Sequence, residues 1–242
     1  MISSSKNGAV TLITLQRPER RNALNLDLCV AIEESVRVAA GDGSRAAVIT
    51  GDGTSFCSGA DLDGVYGDDF IKALYAMFGY LRAVPIPLVA AVNGPAIGAG
   101  TQLAMACDLR VADSRALFGV PTAKNGLAVD AWTIRALSDL AGGGVARGIM
   151  LGCDLVGQDQ SVACGLANRR GDLDAALVLA DELAVMAPLT LAYNKLVLNS
   201  EPTDEAIDAR IAAGWDACWD SEDLREAQQA RSEKRTPVFR GR

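Results

Sequence analysis

The chain contains no histidine among its 242 residues. That absence removes the Ser-His-Asp and Cys-His nucleophile systems and every metal site that needs an imidazole ligand. Carboxylates, lysines, hydroxyls and main-chain amides are left to carry any chemistry. Aromatic residues make up only 5% of the sequence, so small residues packed closely between helices and sheets are expected rather than an aromatic-lined groove. The six cysteines, Cys29, Cys57, Cys107, Cys153, Cys164 and Cys218, form no CxxC pair. Scattered in this way they read as buried free thiols, not as a disulfide framework or a zinc site. No apolar run has the length of a membrane span, and the stretch MISSSKNGAVTLITL has no basic flank ahead of a long apolar core. A soluble, cytoplasmic protein without membrane insertion is therefore expected. With a net charge of −7, nucleic acid is not an expected partner, and an anionic ligand would need a local basic cluster.

Half of the residues are hydrophobic, enough for one sizeable core, and the order of the elements points to an α/β protein. Residues 9–15 (AVTLITL) alternate like a strand, ended by Arg17-Pro18. Residues 17–25 (RPERRNALN) gather three arginines beside a helix start, and Asn25 suits the N-cap of a helix over 26–40. Such arginines fit a solvated loop or a phosphate site. Residues 46–50 (AAVIT) form the continuous apolar run of a strand buried on both faces. The loop GDGTSFCSGADLDGV follows over 51–65 and leads to a helix over 70–84. A polar loop after the carboxyl end of a buried strand is a common place for a ligand.

A third strand, over 85–92, runs into NGPAIGAGTQLAMACD at 93–108. Gly98, Ala99 and Gly100 let the backbone approach a ligand, and amides that open a helix point at negative charge. Gln102 lies one turn inside that helix. A strand is then expected over 108–112, an extended segment over 116–121, a loop over 122–130 and a helix over 132–139 that the glycines at 142–144 break. Short helical pieces over 145–151 and 158–164 precede helices over 172–186, 188–199 and 201–231, and the chain ends in the basic run SEKRTPVFRGR.

Five segments in order, RPERRNALN, SFCSGADL, AAVNGPAIGAGTQLAMACDLRVA, ALFGVP and EKRTPVF, together resemble the enoyl-CoA hydratase/isomerase, or crotonase, family over nearly the whole chain. The resemblance implies a crotonase-like (ClpP/crotonase) α/β superhelix of ββα units over residues 1–187 and a C-terminal helical region over 188–242 that builds a homotrimer or a hexamer. It implies a fatty acyl-CoA or enoyl-CoA ligand and a role in fatty-acid metabolism, with coenzyme A arriving as part of the thioester and no separate cofactor or metal. The backbone N–H groups of Ala60 and Ala99 would form the oxyanion hole, aided by the helix that starts near Ala99. Arg17, Arg20 and Arg21 would meet the coenzyme phosphates. Ala23, Ser58, Gly59, Asp61, Leu62 and Gly98 would line its path. Lys234 matches a basic position often presented from a neighbouring subunit, whereas Arg231 stands where an aromatic residue is usual.

Hydrating members of the family use two glutamates, and the resemblance places the first on Gln102 and the second on Thr122. Neither an amide nor a lone hydroxyl moves a proton usefully near neutral pH. Losing one general acid or base typically costs about 10²–10⁴ in rate, so acyl-CoA binding with little or no hydration is expected. Asp130, eight residues after Thr122, lies among Leu127, Ala128, Val129, Ala131 and Trp132. It fits an acid/base for hydratase or isomerase chemistry, or the N-cap of the helix beginning near Ala131. Asp61 and Asp63 are expected to cap or brace the second loop, and Asp108 to make a buried polar contact. The apolar residues of 70–81 and 132–140 fit a tunnel or a core.

Overall fold

A computed structural model of the protein describes residues 1–61, 67–200 and 205–242. The first strand, β1 (Ile2–Asn7), is almost entirely exposed and polar, so no apolar pattern marks it; it forms by antiparallel pairing with β2 (Val10–Leu15). Helix α1 (Leu26–Gly41) begins where expected, with Asn25 Oδ1 accepting from Leu28 N at 2.9 Å. Strand β3 (Ala46–Gly51) is buried at every position, and α2 (Asp68–Ala83) follows.

Strand β4 (Leu88–Val92) starts three residues later than the apolar run does, beyond Pro85 and Pro87, as proline's missing N–H favours. The chain does not then pass straight into a helix. It first makes a short strand, β5 (Pro95–Ile97), and only then α3 (Ala99–Ala106). The same succession recurs in β6 (Leu109–Ala112), β7 (Leu117–Gly119) and the single helical turn α4 (Thr122–Asn125), inside the segment expected to be a loop.

Helix α5 (Ala131–Arg147) carries the expected glycine break at Gly142 (φ 78°, ψ 151°), but the chain resumes helical geometry at once. After a π-helical turn at Gly148–Gly152 come β8 (Val156–Gly157), α6 (Gln158–Cys164), β9 (Arg169–Arg170), α7 (Leu173–Ala184) and α8 (Pro188–Leu198). The final amphipathic stretch is two helices, α9 (Glu205–Asp220) and α10 (Glu222–Glu233), rather than one. Ser221 separates them by capping α10, its Oγ accepting from Leu224 N at 3.0 Å.

The larger sheet has the order β1-β2-β3-β4-β6-β9, and every pairing in it except β1 with β2 is parallel. The smaller has the order β5-β7-β8. The repeating unit is thus a strand for the large sheet, a short strand for the small one, and a helix.

Successive residues of a strand face opposite ways, and both faces of the large sheet are covered. Ala47 and Ile49 of β3 pack with Leu28 and Ile32 of α1 and Met77 and Phe78 of α2. Ala46 and Val48 pack with Ala176, Leu179 and Ala180 of α7. This is why AAVIT is apolar without alternation. Helix α8 is fastened to the core by Lys195, whose Nζ donates to Asp108 Oδ2 (2.7 Å) and Ile86 O (3.0 Å). Asp108 also accepts from Leu88 N at 2.7 Å, the buried contact expected of it, and burial raises its pKa against the pull of Lys195. Among the described residues no single helix is long and apolar enough to cross a membrane; the bent pair of α7 and α8, at 111°, qualifies only jointly.

Candidate functional site

The loop after β3 and the turn before α3 meet through main-chain hydrogen bonds. Leu24 bridges Ala60: Leu24 N donates to Gly59 O (2.8 Å) and Asp61 N to Leu24 O (2.7 Å). Cys57 bridges Ala96: Cys57 N donates to Pro95 O (3.1 Å) and Ile97 N to Cys57 O (3.0 Å). A bridge of this parallel kind uses the Gly59 carbonyl and the Asp61 N–H and leaves the Ala60 N–H facing away. Ala99 opens α3, where an N–H has no intrahelical acceptor. Among the described residues neither amide donates to a protein acceptor.

Glycines make the meeting possible for two different reasons. Gly98 has φ 54° and ψ −117°, a conformation closed to residues with a Cβ, while its N–H donates to Gly119 O at 2.7 Å. Gly100 is helical, but a Cβ there would stand 2.0 Å from Cys57 O. On the facing loop, a Cβ at Gly59 would lie 2.9 Å from Ile97 O and 3.9 Å from Ala99 N, so the two loops touch beside the donors.

Two residues that sequence reasoning did not single out hold this frame. Thr101 Oγ1 donates to Ala96 O (2.5 Å) and accepts from Gly119 N (3.1 Å). Asn22, buried at φ 56°, donates through Nδ2 to Asp52 O (2.9 Å) and Ser55 O (2.8 Å). Asparagine tolerates that left-handed backbone better than most residues, which is the one local signal for it.

The loops border a cavity of about 1110 Å³. Ala60 and Ala99 line it together with Ala23, Ser58, Gly59, Asp61 and Gly98, and Arg20 and Arg21 stand on its wall. Gln102 and Thr122 also reach it. The question of tunnel or core divides α2: Phe70, Leu74 and Tyr75 line the cavity, whereas Met77, Phe78 and Leu81 are sealed in the core. Cys57 offers no nucleophile in the loop, because burial pushes its thiol up to about 12.

One expected position, Arg17, needs correction, and Asp130 takes the N-cap role that was one of its two readings. Arg17 does not line the cavity; its guanidinium donates to Ala23 O (2.6 Å) and to Asp61 Oδ2 (3.1 Å), so it braces the first loop against the second. Asp61 is accordingly the brace expected of it. Lys234 lies in left-handed conformation at the end of α10 and is absent from the lining. Asp130 is also absent from the lining and caps α5, its Oδ1 accepting from Thr133 N at 3.2 Å and Thr133 Oγ1 at 2.5 Å. Leu62 and Asp63 lie outside the described residues.

Behind Gln102 runs a buried chain of hydrogen bonds. Gln102 Nε2 donates to Thr133 Oγ1 at 2.6 Å, and Thr133 continues to Asp130. Gln102 is 2% exposed and Thr133 fully buried. Tyr75 joins at the far end, its hydroxyl accepting from Asp130 N at 3.2 Å. Thr133 left one sequence signal, its spacing of three residues from a helix-capping aspartate.

Residues 5–242 match the model of the enoyl-CoA hydratase/isomerase family. The protein belongs to the enoyl-CoA hydratase/isomerase family. It is 47% identical over 243 residues, 100% of both chains, to a Mycobacterium tuberculosis protein named probable enoyl-CoA hydratase echA6. It is 34% identical to the 2,3-dehydroadipyl-CoA hydratase of Escherichia coli, with 98% of each chain covered. A solved enoyl-CoA hydratase from Polaromonas superposes with a TM-score of 0.89 at 29% identity, over 99% of both chains. The fold is the expected crotonase fold, a mixed α/β body with a helical C-terminal region. The Ala60 and Ala99 amides border the cavity, and Gln102 and Thr122 are among the residues that line it.

Proposed function

We propose that the protein binds a fatty acyl-CoA or enoyl-CoA thioester through the Ala60 and Ala99 amides and hydrates it slowly or not at all. One observation carries this reading: two main-chain donors without an acceptor among the described residues border one cavity, while the side chains at the two glutamate positions of hydrating relatives are Gln102 and Thr122. Fixed donors of this kind, aimed at a carbonyl oxygen in a site shielded from water, are worth about 2.7–4 kcal/mol each when negative charge develops there. They need no titrating partner to bind a ligand. Hydration does need one, and the loss of each acid or base costs about 10²–10⁴.

Arg20 and Arg21 supply the local positive charge that coenzyme phosphates require in a chain of net charge −7. Coenzyme A is part of the ligand, and no further cofactor enters. The relatives named as CoA-thioester hydratases support the ligand class. The setting is fatty-acid metabolism in the cytoplasm, and the assembly is a homotrimer or hexamer built through the C-terminal helices. Leu198, 84% exposed, with Trp215 and Trp219 at 50% and 59%, supports burial of that region between subunits. Lys234, absent from the cavity of its own chain, fits delivery to a neighbour's. No observation favours the second reading, catalysis by Asp130, since its carboxylate is engaged twice by Thr133 away from the lining.

Calorimetric binding of decanoyl-CoA and a hydration assay on crotonyl-CoA and trans-2-decenoyl-CoA test the proposal together. Binding without turnover is expected. Hydration at an ordinary kcat of about 1–10³ s⁻¹ overturns the non-hydrating reading, and absence of binding overturns the whole.

A further inference from the structure

The chain of hydrogen bonds behind Gln102 decides which of its two amide atoms meets a ligand. A carboxylate only accepts, so at 2.5 Å from Asp130 Oδ1 the proton of the Thr133 hydroxyl is directed to Asp130. Thr133 Oγ1 then has only lone pairs for its other neighbour, and that neighbour must donate. This is why Gln102 presents Nε2 to Thr133 and turns its carbonyl away. Among the described residues no protein donor meets Gln102 Oε1, yet no fully buried side-chain nitrogen or oxygen lacks a partner. Oε1 is therefore open to the cavity that Gln102 lines.

Gln102 sits one helical turn after Ala99, and side chains on a helix lean towards its N-terminus. A thioester whose oxygen rests on the Ala60 and Ala99 amides would bring the first carbons of its acyl chain beside Oε1. A saturated or 2-enoyl chain offers only carbon there and covers an acceptor without satisfying it. A hydroxyl on the third acyl carbon supplies the missing proton, and a site built to hydrogen-bond a hydroxyl rejects the analogue without one. We propose that the cavity selects 3-hydroxyacyl thioesters over saturated and 2-enoyl thioesters of equal length, with Gln102 Oε1 as the acceptor oriented by Thr133 and Asp130. This rests on the thioester-binding reading above.

The test is calorimetric titration with each enantiomer of 3-hydroxydecanoyl-CoA, with decanoyl-CoA and with trans-2-decenoyl-CoA. The tighter enantiomer is expected to bind at least about fivefold more tightly than decanoyl-CoA and trans-2-decenoyl-CoA, about 1 kcal/mol at 1.4 kcal/mol per decade. In Gln102→Leu the ratio falls to about one. In Thr133→Val, where the amide is free to rotate, it shrinks, while thermal unfolding verifies that both variants are folded. If the ligands bind the unchanged protein within about twofold of one another, or if Gln102→Leu keeps the preference, the hydroxyl inference is overturned and thioester binding stands. If none binds, both fall. Should Gln102→Leu fail to fold, Thr133→Val alone decides, and an unchanged ratio there overturns the inference.

Discussion

Replacing Gln102 by glutamate puts a carboxylate where the family resemblance places one, and the Thr133–Asp130 chain makes the consequence calculable. The hydrogen-bonded steps from Gln102 Nε2 through Thr133 Oγ1 to Asp130 Oδ1 measure 2.6 and 2.5 Å, so the new oxygen lies at most roughly 5 Å from Asp130. Two like charges at that separation repel by about 3 kcal/mol at an effective dielectric of about 20. The single proton of Thr133 cannot serve both carboxylates. The pair therefore retains a proton in the folded state with an apparent pKa about 2 units above the unfolded carboxyl range near 4.

A carboxyl whose folded pKa is raised destabilises the fold at pH above that raised value and ceases to do so below the unfolded one. Gln102→Glu should cost about 3 kcal/mol at pH 8 and about 1 kcal/mol at pH 5. In a chain of this size that corresponds to a Tm about 6–12 °C below the parent at pH 8. Thermal unfolding followed by circular dichroism at the two pH values, with parent protein as reference, reads the difference. Adding Asp130→Asn, which keeps a competent cap, should abolish the pH-dependent part. An equal Tm depression at both pH values, or no depression, would refute the described link between Gln102 and Asp130.

Gly100→Ala would drive a Cβ to 2.0 Å from Cys57 O; overpacking should cost about 1–3 kcal/mol in denaturant unfolding and abolish thioester binding. A tolerated alanine would mean the loops do not meet as described. Arg21→Ala should weaken acyl-CoA binding up to about fivefold, as removal of an exposed charge does, and leave binding of the matching acyl-pantetheine unchanged. The comparison of the two ligands by calorimetry places the effect on the phosphates. Glu226 is held down from 4.5 to about 2 by its hydrogen bonds from Arg235, aided by that from Val238 N. Its stabilisation is complete above the unfolded value and lost as pH falls through the folded one. A carboxyl NMR titration should show a midpoint near 2 that returns towards 4.5 in Arg235→Ala.

Local patterns in the sequence were legible where one segment decides its own structure. The unbroken apolar run at β3 reflects burial on both faces, the cap at Asn25 needs only its own helix, and the glycines at 98 and 100 mark the close approach of two loops. What depends on a distant partner was not. Three-residue strands such as β5 have no readable period and exist because β7 pairs with them. Polar β1 owes its form to β2. Arg17 has the right chemistry for a phosphate, but its partner Asp61 lies 44 positions away and claims it. The same limit hid Thr133, a hydroxyl within a helix whose role appears only when Gln102, 31 positions earlier, is placed against it. The absence of a carboxylate at 102 was visible, but not the orientation of the amide that replaces it.

The donors at Ala60 and Ala99 are set by two bridges and a pair of glycines, and no side chain supplies them. A grip built this way is inherited with the fold. Point substitution can change every side chain that faces the cavity and still leave both N–H groups where they are, whereas displacing them means breaking the contacts that keep the loop and helix together.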